Sequence, residues 1–540
     1  MLKKNKEDKK NKDDQENDCD DKIIKPRDRI NSLDCSQENS FFDLRTTKGQ
    51  FLFFFITILT SITITQILPY EELKSYFKPS TKCHLECPKV HAVRKPTYWI
   101  YGKGGDGQWV HLIKIFNKLG MERVSELESD TADLLWAHDY PFNKLRSRIL
   151  EFKAHQKVNH FPGCGFLTNK IDLATTDMKY VPKAFRLPEE TEKFKKYAEN
   201  TEKLFVVKHH QHRHIKIQKL SEINFNDNET FIQEYIKNPL LIDGHKFDIG
   251  VYTIITSIDP LRVYIYYGDI LFRYCPQKYI PFDPNVLDKY IVGDDYLPTW
   301  KVPSLAKYYN GLGYGMKESF DTYVRTQFEK DPQIIWDQVE DAIRLSILTK
   351  QPLLKNALHR YKYKQNFFEM ARFDLIIDSE MNVHLLEANM SPNLSSAHFK
   401  QNSLLYEQVI YNMLNLVGVG SYLHRESFKK FDAETDAILS SDKNIMVNGA
   451  VCSQLPCSES CSPVECHLCK PCLSQNEILE LHRAYREHVN KGNTKRIFPV
   501  PINDSKLPID TKFFRELSSS NQLITKWFHQ KCINDQSWCQ

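Results

Sequence analysis

The stretch FFEMARFDLIIDSEMNVHLLEANMSPNL, Phe367 to Leu394, decides the fold of this chain. Two β-rich runs flank Ser379-Glu380-Met381-Asn382, which predicts a hairpin with a four-residue loop. With that loop length Asp374 faces Glu387, and Asn389 shares the face of Glu387 because strand side chains alternate. The three side chains would then cluster, since directly opposed Cβ atoms in a strand pair lie about 5 Å apart.

This cluster predicts a metal site. Two carboxylates at that separation repel each other unless a cation or a proton lies between them. Oxygen ligands without a neighbouring His or Cys suit Mg²⁺ that is shared with phosphate groups. A solvated hairpin with scattered acidic residues is the alternative interpretation. The same register pairs Ile376 with Leu385 and Asp378 with Val383, and it turns Leu386 towards the core.

The composition is that of a globular protein without a nucleic-acid partner. Of 540 residues, 41% are hydrophobic and 12% aromatic, and 73 basic residues nearly balance 69 acidic ones. A net charge of +4 gives no basic surface for nucleic acid. No motif indicates nuclease, protease or hydride-transfer chemistry.

The first 68 residues differ from the rest of the chain. Residues 1–50 are rich in charged and polar residues, which predicts a disordered tail. Residues 51–68, FLFFFITILTSITITQIL, carry no charge and as a helix would extend about 27 Å, near the thickness of a bilayer core. They predict a single-pass membrane helix, with a buried core helix as the alternative. Lysines and arginines flank both sides, so the orientation stays open.

The remaining chain predicts an α/β domain over 97–417 and a Cys-rich C-terminal region over 442–540. Within the α/β domain, Val251–Ile258 and Leu261–Gly268 form a hairpin signal around Asp259-Pro260. A helical pattern covers Gln108–Gly120 and ends at its glycine. A further helical stretch is predicted over Glu477–Val489.

The cysteines allow three interpretations. Six fall within 21 residues near the C-terminus: Cys452, Cys457, Cys461, Cys466, Cys469 and Cys472. Their CxxC spacing suits zinc, whereas the additional pairs Cys83/Cys87 and Cys532/Cys539 favour disulfides, and unpaired thiols are the third possibility. Disulfides require an oxidising compartment and would place the domain in a lumen or outside the cell, whereas access to a cytoplasmic partner requires the opposite orientation.

Several motifs occur together in the order typical of one family. FFEMARFDLIID…HLLEANMSP and FIQEYIKNPLLIDGHKFDIGVYTIITSIDPLRVYIY (Phe231–Tyr266) follow three upstream motifs: LLWAHDYPF (Leu134–Phe142), HFPGCGFLTNKIDLA (His160–Ala174) and YVPKAFRLPEE (Tyr180–Glu190). In these motifs the chain resembles the tubulin tyrosine ligase-like family over about Thr97 to Val417. The resemblance implies an ATP-grasp fold, in which ATP lies between two antiparallel sheets beside an N-terminal α/β subdomain.

The resemblance also implies a reaction and its partners. Family members use ATP and Mg²⁺ to activate a carboxylate as an acyl-phosphate, which the amine of a free amino acid then attacks. The acceptor would be tubulin or another protein with an acidic tail. Glutamate is the expected amino acid because glutamylases are common in the family, and no residue of this chain adds to that expectation.

The resemblance assigns roles to individual residues. Asp374, Glu387 and Asn389 would bind Mg²⁺, and Lys208 would meet the nucleotide phosphates. The hinge whose backbone receives the adenine would be formed by four consecutive residues, Gln233, Glu234, Tyr235 and Ile236. Lys246 and Asp248 would contact the nucleotide and the substrate. The candidate catalytic residues are Glu387, Lys246 and Arg273.

Three departures from the family pattern leave a second hypothesis open. Gly250 stands where the family usually has an arginine, and Phe272 stands where it has another, so that Arg273 would serve only if a bulge re-aimed it. The segment Lys208–Gln218 lacks the glycines that usually close over phosphates. Its histidines suggest a metal cluster as an alternative: His209, His210, His212 and His214. The chain is therefore predicted to be a membrane-anchored polyglutamylase or, alternatively, a catalytically impaired membrane-tethered binding scaffold.

Overall fold

A computed structural model describes residues 57, 95–199, 201–209, 215–225, 230–420, 438–501 and 511–539. The chain divides into two compact units, residues 1–90 and 91–540. Of the first unit only Thr57 is described, as an exposed helical residue. The predicted disordered tail and the pair Cys83/Cys87 lie outside the described residues.

The N-terminal part of the second unit is built on a parallel sheet. Its elements are β1 (Thr97–Tyr101), α1 (Val110–Lys118), β2 (Glu122–Arg123), β3 (Leu134–Ala137), α2 (Arg146–Leu150) and β4 (Lys157–Val158). The strand order is β2-β1-β3-β4, with all pairs parallel. Helix α1 forms within the predicted range and turns its apolar face, including Leu112, Ile115 and Phe116, towards the core.

A small antiparallel sheet follows. Its elements are α3 (Gly165–Thr168), α4 (Lys170–Ala174), β5 (Ala184–Arg186), α5 (Thr191–Ala198), β6 (Phe205–His209), β7 (Lys216–Gln218) and β8 (Thr230–Glu234). The strand order is β5-β8-β6-β7. Helix α5 covers one face through Phe194, which packs against Phe185 and Phe205.

The largest sheet is antiparallel and centres on one long strand. Its part of the chain comprises β9 (Leu241–Ile242), β10 (His245–Ile258), β11 (Leu261–Tyr266), β12 (Leu271–Tyr274), β13 (Leu297–Pro298), α6 (Pro303–Leu312), α7 (Met316–Gln327), α8 (Gln333–Leu358), β14 (Glu369–Ile377), β15 (Val383–Asn389) and α9 (Ser403–Leu416). Strand β10 pairs with β11, β12 and β14, and Ile258 faces Leu261 around the predicted Asp259-Pro260 turn. Helix α8 packs against β10 and β15 and buries Trp336, Val339 and Ile343. The fold is therefore mixed α/β, as predicted.

The C-terminal region adds a strand to this sheet. It contains α10 (Asp442–Ile445), α11 (Gly449–Cys452), α12 (Gln475–Val489), β16 (Thr494–Phe498), α13 (Lys512–Glu516) and α14 (Ser519–Asn534). Strand β16 pairs antiparallel with β11, so residues beyond the predicted boundary at 417 extend the central sheet. Helix α12 lies where the sequence predicts it and is capped by Ser474, whose hydroxyl accepts from Glu477 N.

The C-terminal cysteines are paired as disulfides. The described residues contain the pairs Cys452–Cys469, Cys457–Cys466, Cys461–Cys472 and Cys532–Cys539. Of the three interpretations of this region, the structure therefore has the disulfide one, and the zinc and free-thiol alternatives are wrong for these eight residues.

The predicted membrane localisation is contradicted. Across the described residues, no helix combines the length and apolar character that crossing a bilayer requires. Residues 51–68 themselves lie outside the described residues apart from Thr57. The prediction rested on the absence of charge, but six of these eighteen residues carry a hydroxyl or amide group, and such groups reduce the free energy gained on transfer to an apolar phase.

A buried ion pair joins the C-terminal region to the central sheet, and its loss is predicted to destabilise the whole unit. Glu487 of α12 accepts from Arg262 Nε at 2.9 Å, Thr256 Oγ1 at 2.8 Å and Tyr264 OH at 3.1 Å, and Arg262 is 1% exposed. Glu487→Ala should lower the free energy of unfolding by about 3 kcal/mol, because it leaves a buried guanidinium with fewer partners. Denaturant unfolding measures this, with Glu516→Ala as a surface control whose side chain is 64% exposed. If the C-terminal region unfolded in a separate step, it would not be coupled to the central sheet as this prediction requires.

Candidate functional site

The β14–β15 hairpin brings the predicted metal ligands together. Asp374 faces Glu387, as the sequence predicts. Asn389 Nδ2 donates to Asp374 Oδ2 at 3.0 Å and to Glu387 Oε1 at 3.2 Å, so its amide bridges the two carboxylates. Hydrogen-bond donation to carboxylates relieves part of their mutual repulsion.

The register towards the turn differs from the prediction by one residue. Ile376 faces His384 and Ile377 faces Val383, so the loop has five residues, Asp378 to Asn382. A register shift between Asp374 and Leu375 compensates for the longer loop, and Leu386 is the extra residue on β15. Leu386 is therefore only partly buried, while Leu385 takes the core position opposite Leu375. The predicted pairs Ile376/Leu385 and Asp378/Val383 are wrong because a bulge absorbs one residue.

Arg273 reaches the site in a regular strand register. Asp248 of β10 faces Arg273 of β12, and the two form a bidentate pair with Nε–Oδ1 at 2.9 Å and NH2–Oδ2 at 2.8 Å. Phe272 points to the opposite face, where it is fully buried against Phe320 and Trp336. The predicted requirement for a bulge at Arg273 is wrong, since its strand partner Asp248 already lies on the site face.

A second arginine, Arg372, lies two residues before Asp374 on the same face of β14. Arg372 Nε donates to Asp374 Oδ1 at 2.6 Å, and its NH2 group donates to Oδ2 at 2.8 Å. Arg273 NH2 also donates to Asp374 Oδ2, at 3.0 Å. Asp374 is 2% exposed, so this buried carboxylate is held between two guanidinium groups.

Gly250 provides the space that Arg372 occupies. Gly250 faces Asp374 across the β10–β14 pair, while Arg372 faces Tyr252. A Cβ atom on Gly250 would lie 2.9 Å from Arg372 Cδ and 3.3 Å from its Nε. The side chain of Arg372 therefore crosses over the glycine, and any larger residue would displace it.

Two lysines from different elements, Lys170 and Lys208, lie near Glu387, and a third, Lys246, lies near Lys208. Lys170 Nζ of α4 lies 2.7 Å from Glu387 Oε2. Burial raises the pKa of Glu387, but Lys170, then Lys208 and the Asn389 hydrogen bond outweigh it and hold the pKa at about 2. Burial lowers the pKa of Lys208 to about 8, with Glu387 raising it and Lys170 and Lys246 lowering it. Burial also lowers the pKa of Lys246.

Lys208 and Lys246 are fixed by neighbouring groups. Lys208 Nζ donates to Gln233 Oε1 at 3.2 Å, and Gln233 in turn donates to Pro182 O. Lys246 Nζ donates to Tyr290 O at 3.0 Å and lies 5.2 Å from the centre of the Tyr235 ring. Both ammonium groups are therefore positioned by the β6–β8 and β10 strands before any ligand arrives.

The predicted adenine hinge, Gln233 to Ile236, spans the last two residues of β8 and the two residues after it. Glu234 N donates to Lys183 O at 2.8 Å and Tyr235 N donates to Leu204 O at 2.9 Å, so two of the hinge N–H groups are already paired. The adenine assignment stays a prediction. Residues 210–214 of the glycine-free loop and the side chain of His209 lie outside the described residues, so the predicted histidine cluster does too.

The site fits a magnesium–polyphosphate ligand except at Asp374. Five cations, namely Lys170, Lys208, Lys246, Arg273 and Arg372, stand against three carboxylates, Asp248, Asp374 and Glu387. This surplus of positive charge suits phosphates, and the oxygens of Glu387 and Asn389 suit Mg²⁺. Both oxygens of Asp374 already accept hydrogen bonds from guanidinium groups, so Asp374 does not fit as a free metal ligand.

Sequence reasoning missed Arg372 and Lys170. Alternation along β14 could have indicated Arg372, because a residue two positions before Asp374 shares its face. Lys170 is brought in by the long-range packing of helix α4 against strand β15, which carries Glu387. The sequence around Lys170 contains no local pattern that predicts this contact.

Comparisons with known proteins relate the chain to one family. A model of the Tubulin-tyrosine ligase family matches residues 148–425. The probable tubulin polyglutamylase ttll-15 of Caenorhabditis elegans is 40% identical over 450 residues, which cover 81% of this chain and 85% of that protein. The tubulin polyglutamylase TTLL6 of Mus musculus is 27% identical over 317 residues, covering 54% and 37%, and the tubulin monoglutamylase TTLL4 of Mus musculus is 27% identical over 309 residues, covering 52% and 25%. The chain thus matches most of the nematode protein but well under half of the two mouse proteins.

The fit between Gly250 and Arg372 leads to a stability prediction. Gly250→Ala should lower the free energy of unfolding by about 1–3 kcal/mol, because the added methyl group overlaps the Arg372 stem. Gly105→Ala is the matched control, since a Cβ there would meet no atom within 4 Å. In an Arg372→Ala background the cost of Gly250→Ala should disappear. Equal costs in both backgrounds, measured by denaturant unfolding, would contradict the overlap.

Proposed function

The chain belongs to the tubulin-tyrosine ligase family, and from that membership we propose that it is an ATP- and Mg²⁺-dependent ligase that adds glutamate to tubulin. The observation that carries the proposal is a group of five cations where two antiparallel sheets meet: four of them pair with or lie near Asp374 or Glu387, and Lys246 lies near Lys208. Relatives whose names state tubulin polyglutamylase or monoglutamylase activity support glutamate as the amino acid and tubulin as the acceptor.

The ATP-grasp assignment is part of this proposal. Sheet β5-β8-β6-β7 carries Lys208 and Gln233, and the large sheet carries Lys246, Asp248, Asp374 and Glu387. A nucleotide held between these sheets would have its phosphates near the lysines and its base near the hinge at the end of β8. The parallel sheet β2-β1-β3-β4 takes the position of the N-terminal subdomain in the sequence.

The residues of the chain would contribute mainly by positioning and by charge. Lys208 and Lys246 hold phosphate oxygens, and Arg273, fixed by Asp248, presents its guanidinium to the same region. Glu387 and Asn389 would hold Mg²⁺, which neutralises phosphate charge when it is bound. The acceptor carboxylate would take the γ-phosphoryl group from ATP, releasing ADP. The amine of glutamate would then attack the acyl-phosphate, releasing phosphate and a proton as the amide bond forms.

The departures from the family pattern do not favour the scaffold alternative. Gly250 makes room for Arg372, and Phe272 leaves Arg273 on the site face. Both changes therefore keep a guanidinium group at the site, although it comes from a different residue. Positive charge, which the reaction requires, is retained.

Removing the Glu387 charge is expected to abolish the reaction. Glu387→Gln should eliminate incorporation of labelled glutamate into tubulin, because the metal and Lys170 both lose their carboxylate partner. Glu380→Gln, on the exposed loop of the same hairpin, should leave incorporation unchanged. Wild-type incorporation by Glu387→Gln would refute the proposal.

Nucleotide binding has a separate readout in the same variants. With Mg·ATP at about 100 times its Kd, the wild-type free energy of unfolding should rise by about 2.7 kcal/mol. The rise should be lost in Glu387→Gln and kept in Glu380→Gln. A folded wild-type protein without any Mg·ATP effect would refute ATP as a substrate.

The lowered pKa of Lys208 makes nucleotide affinity depend on pH. A lysine with a pKa of about 8 carries its charge below that pH and loses it above, so phosphate binding should weaken as pH rises. Between pH 7 and pH 9 the Kd for ATP should rise about tenfold, as linkage requires for one proton of this pKa. Lys208→Arg is the control, because a guanidinium stays charged throughout this range and should flatten the profile. A wild-type profile as flat as that of Lys208→Arg, measured by calorimetry, would contradict the prediction.

A further inference from the structure

Both carboxylate oxygens of Asp374 already accept hydrogen bonds from the protein. Oδ1 accepts from Arg372 Nε at 2.6 Å, and Oδ2 accepts from Arg372 NH2, Arg273 NH2 and Asn389 Nδ2 at 2.8, 3.0 and 3.0 Å. Bidentate guanidinium–carboxylate pairs are among the strongest hydrogen bonds in proteins. A metal ion at Asp374 would have to displace donors from an oxygen that is almost fully buried.

Arg372 is built into this position by its neighbours. Its stem lies over Gly250, where an added Cβ atom would lie 2.9 Å from Arg372 Cδ. Arg372 is itself 8% exposed, and its nearest carboxylate is Asp374. Moving the guanidinium away would separate Arg372 from this carboxylate and leave Asp374 with Arg273 as its other guanidinium partner, and breaking a buried pair costs several kcal/mol.

Glu387 is a much more accessible ligand. Its side chain is 27% exposed, and its ion-pair partner Lys170 is 37% exposed on a flexible stem. The two oxygens of Glu387 are held by the partly exposed Lys170, at 2.7 Å, and by the neutral amide of Asn389, at 3.2 Å. A cation can displace Lys170 from Glu387 without disturbing the guanidinium pairs of Asp374. Asn389 now turns its NH₂ group to both carboxylates, so its amide would have to rotate to offer its oxygen, and Asp374 would still keep both guanidinium partners.

We propose that Arg372 is a positioning residue that holds Asp374 out of the metal coordination sphere, so that Mg²⁺ is bound through Glu387, Asn389 and the nucleotide phosphates alone. This inference rests on the proposed ATP- and Mg²⁺-dependent function. The guanidinium of Arg372, which lies over Gly250, pairs with Asp374 and so occupies a carboxylate that would otherwise attract the metal ion. The site then needs fewer protein carboxylates to hold its Mg²⁺, and it keeps the positive charge of Arg372 beside the phosphates.

The test is a Mg²⁺ titration of the full chain at a fixed, saturating concentration of a non-hydrolysable ATP analogue, with the unfolding midpoint as readout. Glu387→Gln should lose the Mg²⁺-dependent rise in midpoint, whereas Asp374→Asn should keep it. Arg372→Gln should lower the Mg²⁺ concentration for half of the effect about tenfold, because Oδ1 of Asp374, which accepts from Arg372, becomes available as a charged ligand while Oδ2 stays with Arg273, and ligand charge tunes affinity over orders of magnitude. Arg372→Lys, which keeps a cation beside Asp374, should behave as wild type.

The outcomes separate the two proposals. If the wild type shows no Mg²⁺-dependent effect, the proposed function fails and this inference falls with it. If the wild type responds but Arg372→Gln needs as much Mg²⁺ as wild type or more, only the inference is overturned. Asp374→Asn losing the effect while folded would overturn it in the same way. Should Asp374→Asn fail to fold, the comparison of Arg372→Gln with Arg372→Lys decides alone, since a merely structural arginine would change the midpoint without changing the Mg²⁺ dependence.

Discussion

The rest of the site depends on one interaction, the buried ion pairing of the Asp374 carboxylate with Arg372 and Arg273. Its hydrogen bonds join β12, β14 and β15, and the Asp248–Arg273 pair adds β10 to the same network. A buried charge that loses its partner costs about 3–5 kcal/mol. A slip of one residue in any of these strands would turn a charged side chain to the wrong face, so the network fixes the register of the sheet as well as the shape of the site.

The same network explains how so many cations are held close together. Arg372 and Arg273 are neutralised by Asp374 and Asp248, and Lys170 by Glu387, whereas Lys208 and Lys246 are held by a side-chain amide and a backbone carbonyl. Lys208 and Lys246 form no ion pair with a carboxylate among the described residues, and burial lowers the pKa of each more than Glu387 and Asp248 raise it. Burial destabilises the charged form of each lysine, and a nearby anionic ligand would stabilise it. The burial of these lysines therefore favours the binding of phosphates.

The sequence allowed the centre of the site to be predicted but left out its supporting contacts. Asp374 opposite Glu387 follows from alternation and a short loop, and this pairing is found. The loop is nevertheless one residue longer than predicted, and the bulge at Leu386 restores the pairing, because Leu385 packs opposite Leu375 in the core. Such a bulge depends on packing between strands and leaves no local signal in the sequence. The pairing of β16 with β11 was missed for the same reason, since its partners are separated by more than two hundred residues.

Departures from a family pattern have a different meaning once strands are paired. Along the chain, Gly250 and Phe272 suggest the loss of two positive charges from the site. Across the β10–β14 pair, the missing side chain at Gly250 is the space that Arg372 fills, and across the β10–β12 pair it is Arg273 that shares the face of Asp248. A position in a sheet is defined by its neighbours on both sides, so a charge can be lost from one strand and supplied by the next while the site keeps its electrostatic character. The absence of a side chain at one sequence position therefore does not by itself indicate an impaired enzyme. What matters is which neighbouring side chain occupies the space, and at Gly250 it is Arg372.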